Sequence, residues 1–393
     1  MFSKNDINDK VLIEILIAST AILAFNSWEH MPSIVPNHYS DIVSIFWREG
    51  VGKGQHSIPY LQFLFEYPVI IGMLVYLCSS TRLFASSFSE AIVYYTLSMH
   101  FILSLFTLLS IYLLYKTCNF LRVDKGRIWK CFLIMPSFLM FPLYNWDMIA
   151  VFFSILSIYS FLNEKRRVSA LSLGLGISTK IYPIVMLPIF LIEEKNWRER
   201  VFFILMILIP TILLNAPFIV LNFNTWFGTW IFLASWGIEN SWLIYFFNQM
   251  DPTAHYIGFL VMLYLIYKSL VETNKKPYEC NAYRIIERSL MMNLAWLIGS
   301  YIVTPQMALM LLPFYVLIPK IPLSLAYLSD ILNVLIIVFW FSLMQNNINP
   351  LDPTSITQIV ATLRQIVWLI IFLYILYPEK VTRLWSYLKK PLK

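Results

Sequence analysis

Charged side chains are scarce in this chain. Asp, Glu, Lys and Arg make up 13% of its 393 residues, whereas a soluble domain usually carries about 25%. Hydrophobic residues account for 59%, and the mean hydropathy is +0.68. No long polar stretch separates the repeated apolar runs, so an ordinary soluble domain is excluded. The composition instead predicts one integral membrane domain, 1–393, that crosses the bilayer many times.

Cysteine is scarce as well, and its spacing carries no signature. Cys78, Cys118, Cys131 and Cys280 show neither metal-binding nor redox spacing, which argues against a disulfide framework. The net charge of +7 is spread over short basic clusters between the apolar runs. Such clusters are typical of cytoplasmic loops of membrane proteins and give no reason to expect nucleic acid as a partner.

The alternation of basic clusters with apolar runs predicts the topology. The fold class expected is an all-α polytopic membrane protein, a bundle of about 12 transmembrane helices with both termini cytoplasmic. We expect residues 28–90 to form a long first extracytoplasmic loop, with a re-entrant or interfacial segment near 67–80. Residues 222–253 are expected to form a second outer loop.

The most unusual polar residues are predicted to meet on the extracytoplasmic face. The segments concerned are 38–68, 145–147, 180–183 and 304–306. Lys180 breaks the positive-inside pattern on that face, so it needs an anionic partner. Glu14 and Asp330 lie inside apparent spans, where a charge is costly, and we expect only structural pairing for them.

A family resemblance is carried by short fragments that occur in the expected order. They are Tyr39-Ser40-Asp41-Ile42, Glu66-Tyr67-Pro68, Asn145-Trp146-Asp147, Thr179-Lys180-Ile181-Tyr182-Pro183 and Thr304-Pro305-Gln306. With them the chain resembles the GT-C membrane glycosyltransferases. The likeness is to the polyprenol-phosphate-mannose-dependent mannosyltransferases of bacteria and archaea, and more distantly to the eukaryotic GPI mannosyltransferase I. Thr304 departs from the serine that is frequent in the family.

The resemblance implies an inverting glycosyltransferase with a GT-C-like helical bundle. Such an enzyme moves a hexose, with mannose as the expected sugar, from a polyprenyl (dolichyl-type) phosphate sugar to a glycolipid or glycan acceptor. The reaction takes place on the extracytoplasmic or lumenal face, among membrane lipids. The donor is a substrate, and no resident cofactor is required. A divalent cation shared by Asp41 and Glu66 stays open, although the sequence shows no metal-ligand cluster.

Asp41 is the predicted catalytic base, because an acceptor hydroxyl must lose its proton as it attacks the sugar. The alternative is a helix N-cap or a loop-surface carboxylate. Glu66 is predicted to orient the sugar or Asp41, against the alternative of a helix-end charge. His38 and His56 flank the same loop and are expected to be solvated, since a metal site needs more ligands at tighter spacing.

The remaining predicted substrate-binding residues lie in the other fragments. Lys180 is the candidate for the lipid phosphate, against the alternative of a lysine that snorkels to ordinary headgroups. Asp147 has the alternative role of an N-cap, and Trp146 that of an interfacial anchor. The predicted set is completed by Tyr67, Tyr182, Glu239 and Gln306, of which Glu239 matches the family's Glu-Ser-x-x-Trp pattern only loosely.

Two other functions stay open at this point. One is a polytopic secondary transporter of a small solute or a lipid-linked substrate, which about 12 spans with interrupted helices would suit. The chain lacks an internal repeat, however, and its unusual residues collect at one face. The other is a non-catalytic lipid-binding protein that keeps the same fold.

Overall fold

The computed structural model describes residues 9–32, 39–48 and 57–381. The predicted loop residues His38, His56 and Gly52-Lys53-Gly54 lie outside these ranges. Within the described residues the secondary structure is helical. Backbone pairing between extended segments is limited there to two isolated bridges, Pro59 to Phe63 and Glu239 to Ile302.

Twelve α-helices of seven residues or more form the framework of the described chain. They are α1 (Lys10–Glu29), α2 (Asp41–Arg48), α3 (Val69–Ser79), α4 (Phe88–Leu121), α5 (Asp147–Leu162), α6 (Arg166–Thr179), α7 (Leu187–Glu193), α8 (Trp197–Ala234), α9 (Thr253–Asn274), α10 (Asn281–Gly299), α11 (Leu323–Gln345) and α12 (Ile356–Leu376). Shorter helical turns occupy Ser80–Phe84, Gly126–Ile128, Trp129–Leu133, Pro136–Met140, Tyr182–Met186, Trp242–Tyr245, Pro305–Met310 and Leu312–Leu317.

Six of these helices are long and apolar enough to cross a bilayer: α1, α4, α8, α9, α11 and α12. Further apolar helical segments are shorter, at Val69–Phe84, Asp147–Leu162, Tyr182–Glu193 and Pro305–Leu317. The predicted all-α polytopic fold is confirmed, whereas the number of about 12 crossings stays a prediction. Helix α3 is roughly 16 Å long, about half the hydrocarbon thickness, and its re-entrant or interfacial placement stays a prediction.

Contacts divide the described residues into two compact units. The first runs to Trp236 without residues 135–137, and the second contains 135–137 and the residues from Gly237 onward. The prediction of a single domain therefore stays a prediction.

Side-chain caps fix where several helices of the first unit begin. Ser87 Oγ accepts a hydrogen bond from the Glu90 amide at 3.2 Å, and the Glu90 carboxylate accepts one from the Ser86 amide. Asn196 and Glu199 repeat this reciprocal arrangement at the start of α8. Each pair satisfies amides that a helix N-terminus otherwise leaves without partners.

Helix α6 packs closely on α8 and then ends just before Lys180. A side chain at Gly174 would place its first carbon 2.3 Å from the Ile207 carbonyl oxygen of α8, so only glycine permits this contact. The helix ends at Thr179, and Lys180 takes an extended conformation (φ −146°, ψ 145°). The next helical turn begins at Tyr182, so the Lys180 side chain lies at a helix end.

The predicted second outer loop, 222–253, begins at a break in α8, where Asn222 has non-helical angles (φ −155°, ψ 80°). Residues 223–234 are helical and not irregular, and their placement outside the membrane stays a prediction. The side-chain oxygen of Asn222 accepts from the Thr225 amide at 3.2 Å, and its amide donates to the Leu61 carbonyl at 2.8 Å. Asn222 thus caps a second helical stretch. The sequence did not reveal this cap, because a polar residue beside aromatic residues is also common in loops.

The second unit contains two pairs of packed helices, α9 with α10 and α11 with α12. At the first pair, Gly258 and Gly299 allow the backbones to approach. A side-chain carbon at Gly258 would lie 2.2 Å from the Gly299 carbonyl oxygen. Small residues at such crossings are a general device of helix packing in membranes.

We expect Gly258→Ala to destabilise the protein by about 1–3 kcal/mol, because its methyl group meets backbone that cannot rotate away. In an ordinary helix the same change stabilises by about 0.5–1 kcal/mol. Thermal unfolding of the purified protein in detergent measures the effect. Gly228→Ala in α8 is the control, since its methyl group meets only the end of the Leu64 side chain, at 3.1 Å. Equal melting temperatures for the two variants would contradict the close crossing.

Candidate functional site

Asp41 is the first residue of α2, and a neighbour performs the capping. The Ser40 hydroxyl accepts from the Val43 amide at 3.3 Å, so Asp41 is not the capping side chain. The Asp41 amide donates to the Tyr144 carbonyl at 3.0 Å, which ties the start of α2 to the segment before α5. Asp41 is therefore held beside the Asn145-Trp146-Asp147 fragment, as the sequence predicted for residues of one site.

Asn145 joins the two predicted key charges. Its side-chain Nδ2 donates to Asp41 Oδ2 at 2.5 Å, and its Oδ1 accepts from Lys180 Nζ at 2.8 Å. Asn145 is fully buried. The amide thereby connects the carboxylate to the ammonium group through a single side chain.

Lys180 forms an ion pair with Asp147, with 2.8 Å between Nζ and Oδ2. The side chains are 13% and 1% exposed, respectively, so Lys180 does not snorkel to the membrane surface. Asp147 begins α5, yet its side chain makes no capping hydrogen bond. The predicted need of Lys180 for an anionic partner is met inside the protein. Asp147 Oδ1 is buried and accepts no hydrogen bond from the described residues.

Tyr182 belongs to the same cluster. It is buried, and its hydroxyl lies 3.5 Å from the Asp147 carbonyl oxygen. The helical turn that carries it, Tyr182–Met186, directly follows the extended residue Lys180. Tyr182 and Pro183 thus fix the break that places the ammonium group.

Tyr67 contacts the cluster through its hydroxyl, and its ring packs against Trp146. Its hydroxyl accepts from Asn145 Nδ2 at 3.3 Å, and Lys180 Nζ is 5.5 Å from its ring centroid. Trp146 is fully buried with its ring 4.9 Å from that of Tyr67, so it is not an interfacial anchor. Burial, together with the charges of Asp41 and Glu66, raises the pKa of Tyr67 well above its ordinary value. Its hydroxyl therefore stays neutral and can donate a hydrogen bond.

The backbone at Tyr67 is fixed by a second tyrosine. Tyr60 donates from its hydroxyl to the Tyr67 carbonyl at 2.7 Å. The Tyr60 ring passes over Gly72 of α3, where a side-chain carbon would lie 2.1 Å from the Tyr60 oxygen. Gly72 is thus required for the tyrosine to reach this position.

Glu66 is buried beside Tyr67, at 7% exposure. It is therefore not an exposed helix-end charge. Among the described residues no group of three or more His, Cys, Asp or Glu side chains is arranged to hold a metal ion.

Two predicted residues, Glu239 and Gln306, belong to the second unit. Backbone hydrogen bonds pair Glu239 with the Tyr301–Val303 segment, at 2.9 and 3.0 Å. Gln306 follows three residues later, buried in the helical turn Pro305–Met310. The structure thus brings together, within the second unit, two fragments that lie far apart in the chain.

Arg364 of α12 supports this pairing. It is not among the residues predicted from the sequence. It is fully buried. Its guanidinium donates to the Asn240 and Val303 carbonyls at 3.0 and 2.9 Å, and to Asn333 Oδ1 at 2.7 Å. The signal available in the sequence was an arginine within an apolar run, where a charge marks an interior contact.

Asn333 extends the same polar network to Asp330. Its Nδ2 donates to the Ser137 hydroxyl at 2.9 Å, while the Ser137 amide donates to Asp330 Oδ2 at 2.8 Å. The structural pairing expected for Asp330 is therefore observed, with a backbone amide as the partner. These contacts show how α11 accommodates a carboxylate inside an apolar helix.

Comparison with known proteins agrees with this architecture. The chain is similar to a crystal structure of ArnT from Cupriavidus metallidurans bound to undecaprenyl phosphate, with a TM-score of 0.50 and 13% sequence identity. The alignment covers 92% of this chain and 77% of ArnT. At this identity the likeness establishes the fold, which is that of a GT-C enzyme. No curated protein matches the chain.

The family follows from the sequence itself. The model of glycosyltransferase family 87 matches residues 65–273, more than half of the chain. The chain belongs to this family, which is of the GT-C type. The predicted resemblance to GT-C glycosyltransferases is thereby confirmed.

The ion pair of Lys180 and Asp147 gives a prediction about stability. We expect Asp147→Asn to destabilise by about 2–4 kcal/mol, because it leaves a largely buried ammonium without its carboxylate. Lys180→Met in the same chain should restore part of that loss, with a coupling free energy of about 1–3 kcal/mol. Chemical unfolding of both single variants and the double variant measures the coupling. The surface pair Lys275 and Glu272 is the control, where Lys275→Met, on a 65% exposed side chain, should leave stability unchanged. Additive single effects at Lys180 and Asp147 would show that the pair is not coupled.

The hydrogen bonds of Arg364 give a second prediction about stability. We expect Arg364→Met to destabilise by about 3 kcal/mol or more, since two buried carbonyls and the Asn333 oxygen lose their donor. The melting temperature in detergent should fall by several degrees. Arg198→Met, on an exposed residue, is the control and should have little effect. A melting temperature for Arg364→Met equal to that of wild type would show that these bonds contribute nothing to stability.

Proposed function

We propose that the protein transfers a hexose, with mannose as the expected sugar, from a polyprenyl-phosphate sugar to a hydroxyl of a glycolipid or glycan acceptor. The observation that carries the proposal is the joining of Asp41 to Lys180 by Asn145 in one buried cluster, in a chain of a glycosyltransferase family. A lipid-phosphate donor fits this cluster because the reaction needs a carboxylate and a cation close to each other. The ArnT structure, bound to undecaprenyl phosphate, adds a neighbour of the same fold with a lipid phosphate.

The reaction is a displacement at the anomeric carbon of the sugar. The acceptor hydroxyl gives its proton to the Asp41 carboxylate while its oxygen forms the new bond to that carbon. The bond between the carbon and the phosphate oxygen breaks, and the polyprenyl phosphate leaves with the electron pair. The phosphate needs no proton to depart, so one carboxylate is sufficient, and attack from the opposite side inverts the configuration.

Lys180 would contact the departing phosphate. Its ammonium has three donors, of which two go to Asn145 Oδ1 and Asp147 Oδ2. The third is available for a phosphate oxygen as charge develops there. Because Asp147 already balances its charge, Lys180 would contribute a directed hydrogen bond more than a net attraction.

The other predicted residues complete the proposed site. The buried and unpartnered Asp147 Oδ1 suits a sugar hydroxyl, and the neutral Tyr67 hydroxyl suits a polar group of the substrate. Trp146 and Tyr182 would act through Tyr67 and Asp147, on which they pack. Glu66 is proposed to contact the sugar or the acceptor. Glu239 and Gln306, in the second unit, stay predicted substrate-binding residues. We place the reaction on the extracytoplasmic face, with both termini cytoplasmic, on the charge pattern alone.

Transfer of radiolabelled mannose from synthetic polyprenyl-phosphate mannose, with a membrane lipid extract as acceptor pool, tests the proposal. We expect wild type to label a product, and Asp41→Asn to lower kcat by about 10²–10⁴-fold with the fold retained, because an amide cannot accept the proton. Asp352→Asn, on an exposed carboxylate, is the control and should transfer normally.

Each other outcome identifies what is wrong. Full activity of Asp41→Asn would exclude it as the base and direct the test to Glu66. If the wild-type protein uses other lipid phosphosugars but not the mannosyl donor, the proposed identity of the sugar is wrong. Solute uptake into proteoliposomes without any transfer would favour the transporter.

A further inference from the structure

We propose that Asn145 is a positioning residue of the transfer reaction: its side-chain amide fixes the Asp41 carboxylate and sets its strength as a base. The inference rests on the proposed function, in which Asp41 is the base. Asn145 touches neither substrate in this proposal and acts only through Asp41. Asn145 belongs to the sequence fragment Asn145-Trp146-Asp147, but only its two neighbours were predicted to bind substrate, and its role follows from the geometry.

The hydrogen-bonding capacity of the Asn145 side chain is fully used. Nδ2 donates to Asp41 Oδ2 at 2.5 Å and to the Tyr67 hydroxyl at 3.3 Å. Oδ1 accepts from Lys180 Nζ at 2.8 Å and from the Trp146 amide at 2.5 Å. Two donors and two acceptors are all that an amide offers. A flipped amide would place its oxygen against the Asp41 carboxylate and its NH₂ group against the Lys180 ammonium, so the donor to Asp41 is fixed.

No other side chain of this size can make the same four bonds. Aspartate at position 145 has acceptors only, so it would face Asp41 with a second negative charge. Alanine removes the donor and leaves Asp41 Oδ2 without this bond. A hydrogen bond to the ionised form of a carboxylate favours that form, and a nearby like charge disfavours it. Both substitutions therefore oppose ionisation of Asp41, aspartate more strongly.

The charges around Asp41 explain why a neutral donor is useful there. Lys180 points its charge at Asp147, at 2.8 Å, and reaches Asp41 only through Asn145. Among the described residues, titratable groups near the cluster also include Glu66 and Tyr67 on the segment before α3, and Tyr39 before α2. A hydrogen bond from a neutral amide adds no charge beside the carboxylate. The amide orients the carboxylate and leaves it basic enough to take a proton.

The experiment follows the protonation of Asp41 by two independent readouts. One is infrared difference titration of the carboxylate, with Asp41→Asn subtracted to isolate its signal. The other is the pH–rate profile of mannosyl transfer from polyprenyl-phosphate mannose. Both are measured on the purified full chain as wild type, Asn145→Ala and Asn145→Asp. The control is Asn215→Asp, a buried asparagine of α8 whose amide bonds Thr211 and Trp226.

We expect the infrared midpoint of Asp41 and the acid limb of the rate profile to move to higher pH in both Asn145 variants. The maximal kcat should fall by about 10–100-fold, because the carboxylate loses its fixed direction. Asn215→Asp should leave both the midpoint and the position of the acid limb unchanged. If Asn145→Asp does not fold, Asn145→Ala carries the same test through the lost donor.

An infrared midpoint equal to that of wild type in the folded Asn145 variants would overturn the proposal. A loss of kcat by the same factor at every pH, with no shift of the midpoint, would mean that Asn145 is only structural. These outcomes are separable from failure of the proposed function. If Asp41→Asn transfers sugar normally, Asp41 is not the base, while the infrared titration still decides whether Asn145 controls its protonation.

Discussion

A lysine that is largely enclosed by an apolar protein must have a carboxylate and hydrogen-bond acceptors beside it, and the site depends on this requirement. Lys180 meets it with Asp147 and Asn145, both within 2.8 Å. The partners come from the start of α5, whereas Lys180 follows α6, so the ion pair fixes the end of one helix against the beginning of another. In surroundings of low dielectric, losing Asp147 would leave the ammonium as an uncompensated charge. Asn145 then connects this ion pair to Asp41.

The backbone conformation around Gly174 and Lys180 places the two members of this ion pair next to each other. Gly174 lets α6 approach α8, and the extended conformation of Lys180 turns its side chain out of the helical path. On the other side, the Tyr144 carbonyl holds the Asp41 amide, and Tyr60 holds the Tyr67 carbonyl. Asp41 and Tyr67, two residues of the proposed site, are thus held in place through their backbone atoms. Loops that carry chemistry on a rigid helical scaffold are a common solution, and here the scaffold is the α5–α6 pair.

Much of this could be predicted from the sequence, and the failures have physical causes. Hydropathy and basic clusters indicated the helical membrane fold, and the position of Lys180 on the predicted outer face indicated an anionic partner. The patterns could not show that Asn222 caps a continuing helix, because a polar residue among aromatics also suits a loop. Nor could they show that the side chains of Asn145 and Arg364 each hydrogen-bond several residues from distant parts of the chain. A polar side chain in an apolar run indicates some interior contact, but its partners, 35 residues away for Asn145 and Lys180, depend on the tertiary fold.

The arrangement also resolves a conflict inherent in transfer from a phosphate. The base must keep its proton affinity, and the leaving phosphate needs a positively charged donor nearby, yet a direct pair of the two would neutralise both. Asn145 separates them by one amide, and Asp147 takes the lysine's charge. The proposed base is then oriented by a neutral group, and the proposed phosphate ligand is held ready with one donor to spare. A polar spacer between opposite charges is therefore the feature that lets Asp41 and Lys180 share one small cluster without cancelling each other.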